Sequence, residues 1–210
     1  MNHAQAERAE LSDLLDQLGP DAPTLCEGWT TADLAAHLVL RERSLAAAGI
    51  TIKMFSGRTR MVQERLKAEH SWPELVDLVR HGPPRSSPFG FIPGADAAVN
   101  TFEFLIHHED VRRAQPEWEP RELPRDLNQL IWRRLTRGAR LYVRKSPVGV
   151  VLRDTEGHKA GAKLASPAVV VTGEPAELLL FASGRQRASR VTLDGPAEAV
   201  ASLRTAKLGI

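Results

Sequence analysis

The sequence predicts an α+β protein in which a helical domain, residues 1–145, is followed by a small α/β domain, residues 146–210. Two observations favour this fold class. Between residues 4 and 144, apolar side chains recur in several segments at the three- and four-residue spacing of amphipathic helices. After Lys145, short β-branched runs alternate with segments of helical spacing, a pattern typical of a small mixed domain.

Composition limits the classes of function. The chain has 210 residues, 42% of them hydrophobic, so it can bury a proper core. Its formal net charge of +2 gives no general attraction to nucleic acid or membranes, and we expect neither as a partner. The single cysteine rules out an internal disulfide framework and fits a reducing compartment. No apolar run approaches the length of a membrane span, so we expect a cytoplasmic protein.

The first predicted helix covers residues 4–18, because four leucines recur along one face of it. Gly19 and Pro20 end this helix. The loop that follows, residues 21–30, contains Cys26. We interpret Cys26 as a packed loop cysteine rather than as a nucleophile.

A second helix is predicted from Thr30 to about Ala48. Thr30 is a suitable N-cap residue, and Asp33 stands at the position from which its carboxylate can reach back to the cap. Trp29, just before the cap, can pack on Leu34. These signals place the start of the helix sharply.

Two more helical segments and a long loop follow. Residues 58–68 have helical spacing, and a further helix begins at Ser71, which forms a capping-box pattern with Glu74. Residues 82–93 are rich in proline, glycine and serine and form a loop. This loop could form the rim of a site or serve as a plain connector.

The next helix, residues 94–114, contains the strongest chemical signal. Glu103 and His107 are four residues apart, so they lie on one face about a turn apart, and Asp110 continues that face. A carboxylate and an imidazole so placed can bind Zn²⁺ or another divalent ion. The alternative is an ordinary ion pair or a satisfied polar contact.

A third ligand must come from elsewhere, and His37 is the best candidate because it lies toward the apolar side of the second helix. The alternative is a satisfied core histidine. His108 offers another imidazole, but it is turned about 100° from His107 and should face elsewhere. Two histidines and a glutamate suit Zn²⁺ best, with Ni²⁺, Fe²⁺ and Mn²⁺ as alternatives.

Residues 124–144 form the last helix of the predicted helical domain. Its inner face consists of five aliphatic residues, Leu127, Leu130, Ile131, Leu135 and Leu141. Its outer face carries an arginine stripe: Arg133, Arg137, Arg140 and Arg144. We interpret this stripe as a solvated face, with anion binding, including nucleic-acid binding, as the alternative.

The carboxy-terminal segments alternate between strand and helix patterns. Strands are predicted at residues 148–153, 168–172 and 189–193, and helices at 173–184 and 195–206. Residues 154–157 form a turn.

Three separated stretches resemble one family. Residues 26–38, C-E-G-W-T-T-A-D-L-A-A-H-L, resemble the start of the second helix of DinB-like metalloproteins. Residues 103–110, with their E-x-x-x-H-x-x-D pattern, resemble the mycothiol-dependent maleylpyruvate isomerase branch of that superfamily. Residues 173–185 are similar to the carboxy-terminal domain of the same branch. The resemblance therefore spans nearly the whole chain.

The resemblance implies a DinB-like four-helix bundle that binds a divalent metal, usually zinc, through His37, Glu103 and His107. It also implies a low-molecular-weight thiol, such as mycothiol, at the open position of the metal. Asp110 would then orient an imidazole or a metal-bound molecule, or else be an exposed carboxylate. Arg185 is the best match for an arginine that binds the carboxylate of the substrate, with a surface arginine as the alternative.

Two functions are compatible with this resemblance. The first is a thiol-dependent isomerase or S-transferase that acts on a small electrophilic substrate. The second is a non-catalytic metal- or thiol-binding protein, such as a sensor, with the same ligands. The sequence leaves the substrate and the oligomeric state open.

Overall fold

The computed structural model describes residues 2–43, 57–82 and 95–209. It divides into two compact units, Met1–Glu119 and Pro120–Ile210. The predicted extension of the second helix to residue 48 and most of the predicted loop at 82–93 lie outside the described residues. Helices precede a small mixed sheet, so the predicted α+β class is confirmed. No helix in the described ranges is long and apolar enough to cross a membrane.

The first unit is a bundle of helices. They are α1 (His3–Leu18), α2 (Thr31–Arg43), α3 (Gly57–Glu69), α4 (Trp72–His81) and α5 (Ala95–Arg112). Helix α1 packs against α4 and α5, and α2 packs against α3 and α4. Leucines from α1 and α2, aliphatic residues of α4 and Phe104 and Val111 of α5 form its core.

Two helices of the first unit, α2 and α4, start where the capping patterns predict. The carboxylate of Asp33 accepts a hydrogen bond from the backbone N–H of Thr30 at 3.0 Å. Glu74 accepts one from the backbone N–H of Ser71 at 2.7 Å. Each bond satisfies a backbone donor at a helix start, so local chemistry fixes both boundaries.

The second unit combines three helices with a four-stranded sheet. Its elements are α6 (Arg125–Tyr142), β1 (Gly149–Arg153), β2 (Lys159–Lys163), β3 (Ala168–Thr172), α7 (Pro175–Ala182), β4 (Thr192–Asp194) and α8 (Ala197–Thr205). The strand order is β2-β1-β3-β4. The central pair, β1 and β3, is parallel, and each outer strand is antiparallel to its neighbour. Valines and a leucine of β1 and β3 are buried in alternation.

One prediction for helix α6, the place of Leu141 on its inner face, was wrong. Leu141, which we placed on the inner face, is 46% exposed, whereas Ala139 and Val143 are buried. Ala139 lies one helical turn after the buried Leu135, but Leu141 lies six residues after it and therefore on another side of the helix. The four arginines of the predicted stripe are all exposed, and Arg144 lies beyond the end of α6.

The compact units divide before α6, which packs against α7 and β2 within the second unit. The assignment of residues 1–145 and 146–210 to separate domains stays a prediction.

Candidate metal centre

Helices α2 and α5 bring the three predicted ligands together. Oε1 of Glu103 lies 3.3 Å from Nε2 of His37 and 3.3 Å from Nε2 of His107. One donor atom from each of the three side chains lies within 4.8 Å of the others. The helical spacing aligns Glu103 with His107, and the packing of the bundle adds His37 from the other helix.

Packing holds both imidazoles in place. His37 is 3% exposed and His107 is 6% exposed. Their rings meet edge to face, with centroids 5.2 Å apart, and the Trp29 ring lies 5.3 Å from that of His37. The Glu103 side chain is 26% exposed, so solvent reaches the cluster from its side.

Asp110 contacts His107. Its Oδ2 lies 2.9 Å from Nδ1 of His107, and the aspartate is fully buried. His107 donates from Nδ1 to this carboxylate, which leaves Nε2 as the ring nitrogen that faces Glu103. A carboxylate behind an imidazole is the arrangement that fixes the ring of metal-binding histidines and makes them more basic.

Cys26 also reaches this centre, which the sequence analysis did not predict. Its Sγ donates to Oδ2 of Asp110 at 3.2 Å and lies 3.9 Å from Nδ1 of His107. The backbone N–H of Leu25 donates to the Asp110 carbonyl at 2.9 Å, so the loop is tied to α5 at two points. Cys26 also packs on the core of the first unit, as expected for a packed loop cysteine.

Arg41 is a second residue that the sequence analysis missed. Its Nε lies 3.1 Å from Oε1 of Glu103, the same oxygen that faces both histidines. Arg41 follows His37 by one helical turn on α2, so the same four-residue spacing that joins Glu103 to His107 could have identified it.

The pKa values of the three predicted ligands are all shifted from their ordinary values. Burial raises the pKa of Glu103, but hydrogen bonds from His107 and His37 outweigh it and hold that pKa well below its usual range. Burial lowers the pKa of His107, but Asp110, Cys26 and Glu103 together hold it well above its usual range. Burial lowers the pKa of His37. At neutral pH the Glu103 carboxyl is therefore ionised and the His37 ring is neutral, which are the forms of these side chains that bind metal ions.

This donor set fits a divalent metal ion. Two imidazole nitrogens and one carboxylate oxygen converge, and that oxygen is ionised. The raised pKa of His107 favours a proton on Nε2 toward Glu103, where a bound cation would take its place. His108 faces away from this cluster, as predicted, and the structure places its Nδ1 2.9 Å from Oε2 of Glu7 on α1.

Comparison with known protein families assigns the chain to one of them. The sequence profile of the mycothiol maleylpyruvate isomerase N-terminal domain matches residues 3–136, which is more than half of the chain. This chain belongs to that family. The matched residues include His37, Glu103, His107 and Asp110, so the whole candidate centre lies inside the family domain.

Solved structures support the same fold. A crystal structure of the mycothiol-dependent maleylpyruvate isomerase has a TM-score of 0.61 and 17% identity, and the match covers 91% of this chain and 90% of that one. A histidine-to-alanine mutant of that isomerase gives 0.62 and 19% over the same shares. No curated protein sequence matches significantly. The DinB-like bundle followed by a small α/β domain is therefore confirmed.

Arg185, the other predicted site residue, lies in the second unit. Its Nη1 donates to the carbonyl of Ser183 at 2.7 Å, just after α7. Ser183 is the C-cap residue of that helix, and the Arg185 side chain is partly exposed. A role for Arg185 in binding substrate stays a prediction.

Proposed function

We propose that this member of the family is a divalent-metal-dependent enzyme, with zinc as the favoured metal. It uses a low-molecular-weight thiol, such as mycothiol, to isomerise or S-conjugate a small electrophilic substrate. The observation that carries this proposal is the convergence of His37, Glu103 and His107 on one point, with Glu103 ionised. The reducing conditions that a thiol needs agree with a cytoplasmic enzyme.

Each residue of the centre has a distinct task. His37, Glu103 and His107 hold the ion, and Asp110 keeps Nε2 of His107 directed at it. Trp29 packs against the His37 ring on one side of the centre. A divalent ion held by these three side chains would supply a Lewis acid that lowers the pKa of a bound thiol and so favours its thiolate form near neutral pH.

The charges of the site favour an anionic ligand. The carboxylates of Glu103 and Asp110 and the guanidinium of Arg41 leave one net negative charge. With a divalent ion bound and both histidines neutral, the same groups carry one net positive charge. A thiolate would neutralise it, whereas a neutral thiol would not. Arg185 remains our candidate for binding an anionic group of the substrate.

Consumption of an electrophile that requires an added thiol tests this function. We expect metal-loaded protein to consume maleylpyruvate or another small electrophile only when mycothiol or a similar thiol is present, and a chelator to abolish the reaction. Glu103→Gln should lose the activity because a neutral amide is a poor ligand. Glu69→Gln, at an exposed glutamate paired with Arg65, is the matched control and should retain it.

Two results would count against the enzyme. Consumption that proceeds equally well without thiol would remove the thiol from the mechanism. Binding of metal and thiol without turnover of any electrophile would instead support the non-catalytic alternative, a metal- or thiol-binding protein with the same ligands.

A further inference from the structure

Arg41 joins Glu103 to a series of buried polar side chains that reaches α1. We propose that Arg41 is a positioning residue, which holds Glu103 in the conformation that binds the metal, and that Asn100 holds Arg41 in turn. This role rests on the proposed function, since it requires Glu103 to be a metal ligand.

Glu103 needs such a partner. Its side chain is 26% exposed and has three rotatable bonds, yet a single oxygen, Oε1, faces both His37 and His107. Ordering a long side chain has an entropic cost, which weakens binding if the metal alone must order it. Arg41 places its Nε 3.1 Å from that same oxygen and so orders the carboxylate in advance.

Asn100 fixes Arg41. Nη1 of Arg41 donates to Oδ1 of Asn100, and Nδ2 of Asn100 donates to Oε1 of Glu42 at 2.9 Å. Asn100 is fully buried. The amide of Asn100 accepts from a guanidinium through its oxygen and donates to a carboxylate through its nitrogen, so its two charged neighbours determine its orientation. The guanidinium of Arg41 therefore has a fixed support.

The series ends in the core of the first unit. Arg8 donates a hydrogen bond from each of its two terminal nitrogens to the Glu42 carboxylate, with Nη1 at 2.7 Å from Oε2. The side chains of Arg8 and Glu42 are buried. Arg8 also donates to the Val79 carbonyl at 3.0 Å and lies over the Phe104 ring at 4.2 Å. A buried ion pair with these contacts cannot shift without leaving an uncompensated charge. Helices α1, α2, α4 and α5 thus all support the position of Arg41.

The direction in which metal affinity changes when Arg41 is removed distinguishes a positioning role from a purely electrostatic one. Arg41 is a cation beside a cation site, so if only its charge mattered, removing it would strengthen metal binding. If Arg41 orders Glu103, removing it weakens metal binding instead. Lysine keeps the charge but lacks the planar fork that reaches Glu103 and Asn100 together, so it should behave like a deletion.

The test measures metal binding rather than activity. Zn²⁺ affinity is measured by competition with a chromophoric chelator, and the d–d spectrum of the Co²⁺-loaded protein reports the ligand geometry. We expect Arg41→Met and Arg41→Lys to weaken Zn²⁺ binding about 10- to 100-fold and to change the Co²⁺ spectrum. Asn100→Leu should act in the same direction. Arg80→Met, at an arginine paired with Asp13 and Asp16, is the matched control and should change neither.

Circular dichroism of the metal-free variants shows which of them fold. A purely structural role would lower thermal stability but leave the Co²⁺ spectrum of the folded fraction unchanged. If Arg41→Met and Arg41→Lys fold and bind Zn²⁺ as tightly as the wild type, or more tightly, with the wild-type Co²⁺ spectrum, the positioning role is wrong. If the wild type itself binds no metal, the proposed function fails, and this result is distinct from the first.

Discussion

At the scale of single residues, the orienting role that we propose for Asp110 can be tested directly, because the aspartate is fully buried and bonds Nδ1 of His107. We expect Asp110→Asn to weaken metal binding about 10- to 100-fold, since an amide is a weaker acceptor and no longer fixes the ring of His107. Chelator competition measures the change. Asp16→Asn, at an exposed aspartate, is the control.

Unchanged metal affinity in Asp110→Asn would contradict the orienting role. If activity fell while affinity stayed constant, Asp110 would act on the reacting molecule rather than on His107.

The predicted ligands and the missed residues differ in the kind of signal that each leaves in the sequence. Glu103 and His107 are related by helical spacing, which a sequence displays directly. His37 was a candidate from its place toward the apolar side of α2, and the resemblance supported it. Cys26 and Asn100 were missed because their contacts, with Asp110 and with Arg41, arise from packing between separate segments. No local pattern encodes such contacts.

At the scale of elements, the turn between β1 and β2 offers a test of electrostatics by pH. Asp154 accepts from the backbone N–H of His158 at 2.8 Å, and its other oxygen lies 2.8 Å from the ring Nδ1. The hydrogen bond to Asp154, and then its charge, raises the pKa of His158 above its ordinary value of 6.5. The pair therefore favours the protonated ring in the folded protein.

The sign of the pH dependence follows from this shift. Because the pKa of His158 is higher in the folded state, the pair stabilises the protein fully at pH values below the unfolded pKa. The contribution is lost as the pH rises through the folded pKa. A titration followed by NMR should give a pKa above 6.5 for His158 in the wild type. In Asp154→Asn it should fall toward that value, and an unchanged pKa would show that Asp154 is not the cause.

The strands show where local patterns stop being informative. Strand β3, Ala168–Thr172, was predicted with its observed bounds because its run of valines is typical of a buried strand. Strand β2, Lys159–Lys163, was missed because its sequence, K-A-G-A-K, has low strand propensity. It forms through pairing with β1 at the sheet edge, where only Ala162 is buried.

At the scale of the whole molecule, the sequence predicted the order of a helical part and a small mixed part and placed their border at residue 145, which stays a prediction. Helical periodicity shows which face of a helix is buried, but not which element covers it. The apolar face of α6 was therefore compatible with either part, and in the structure α6 packs on α7 and β2. The family profile, residues 3–136, includes much of this helix.

The proposed function and the proposed role of Arg41 both require that His37, Glu103 and His107 bind one divalent metal ion. The most direct test is elemental analysis of freshly purified protein, its His37→Ala and His107→Ala variants, and His81→Ala, a control at a histidine that is 71% exposed. We predict close to one metal ion, favouring zinc, per chain in the wild type and control, and its loss in the two site variants. Wild-type metal content in both site variants, or no metal in the wild type even after reconstitution, would contradict the claim and leave Glu103 and His107 as a structural polar pair.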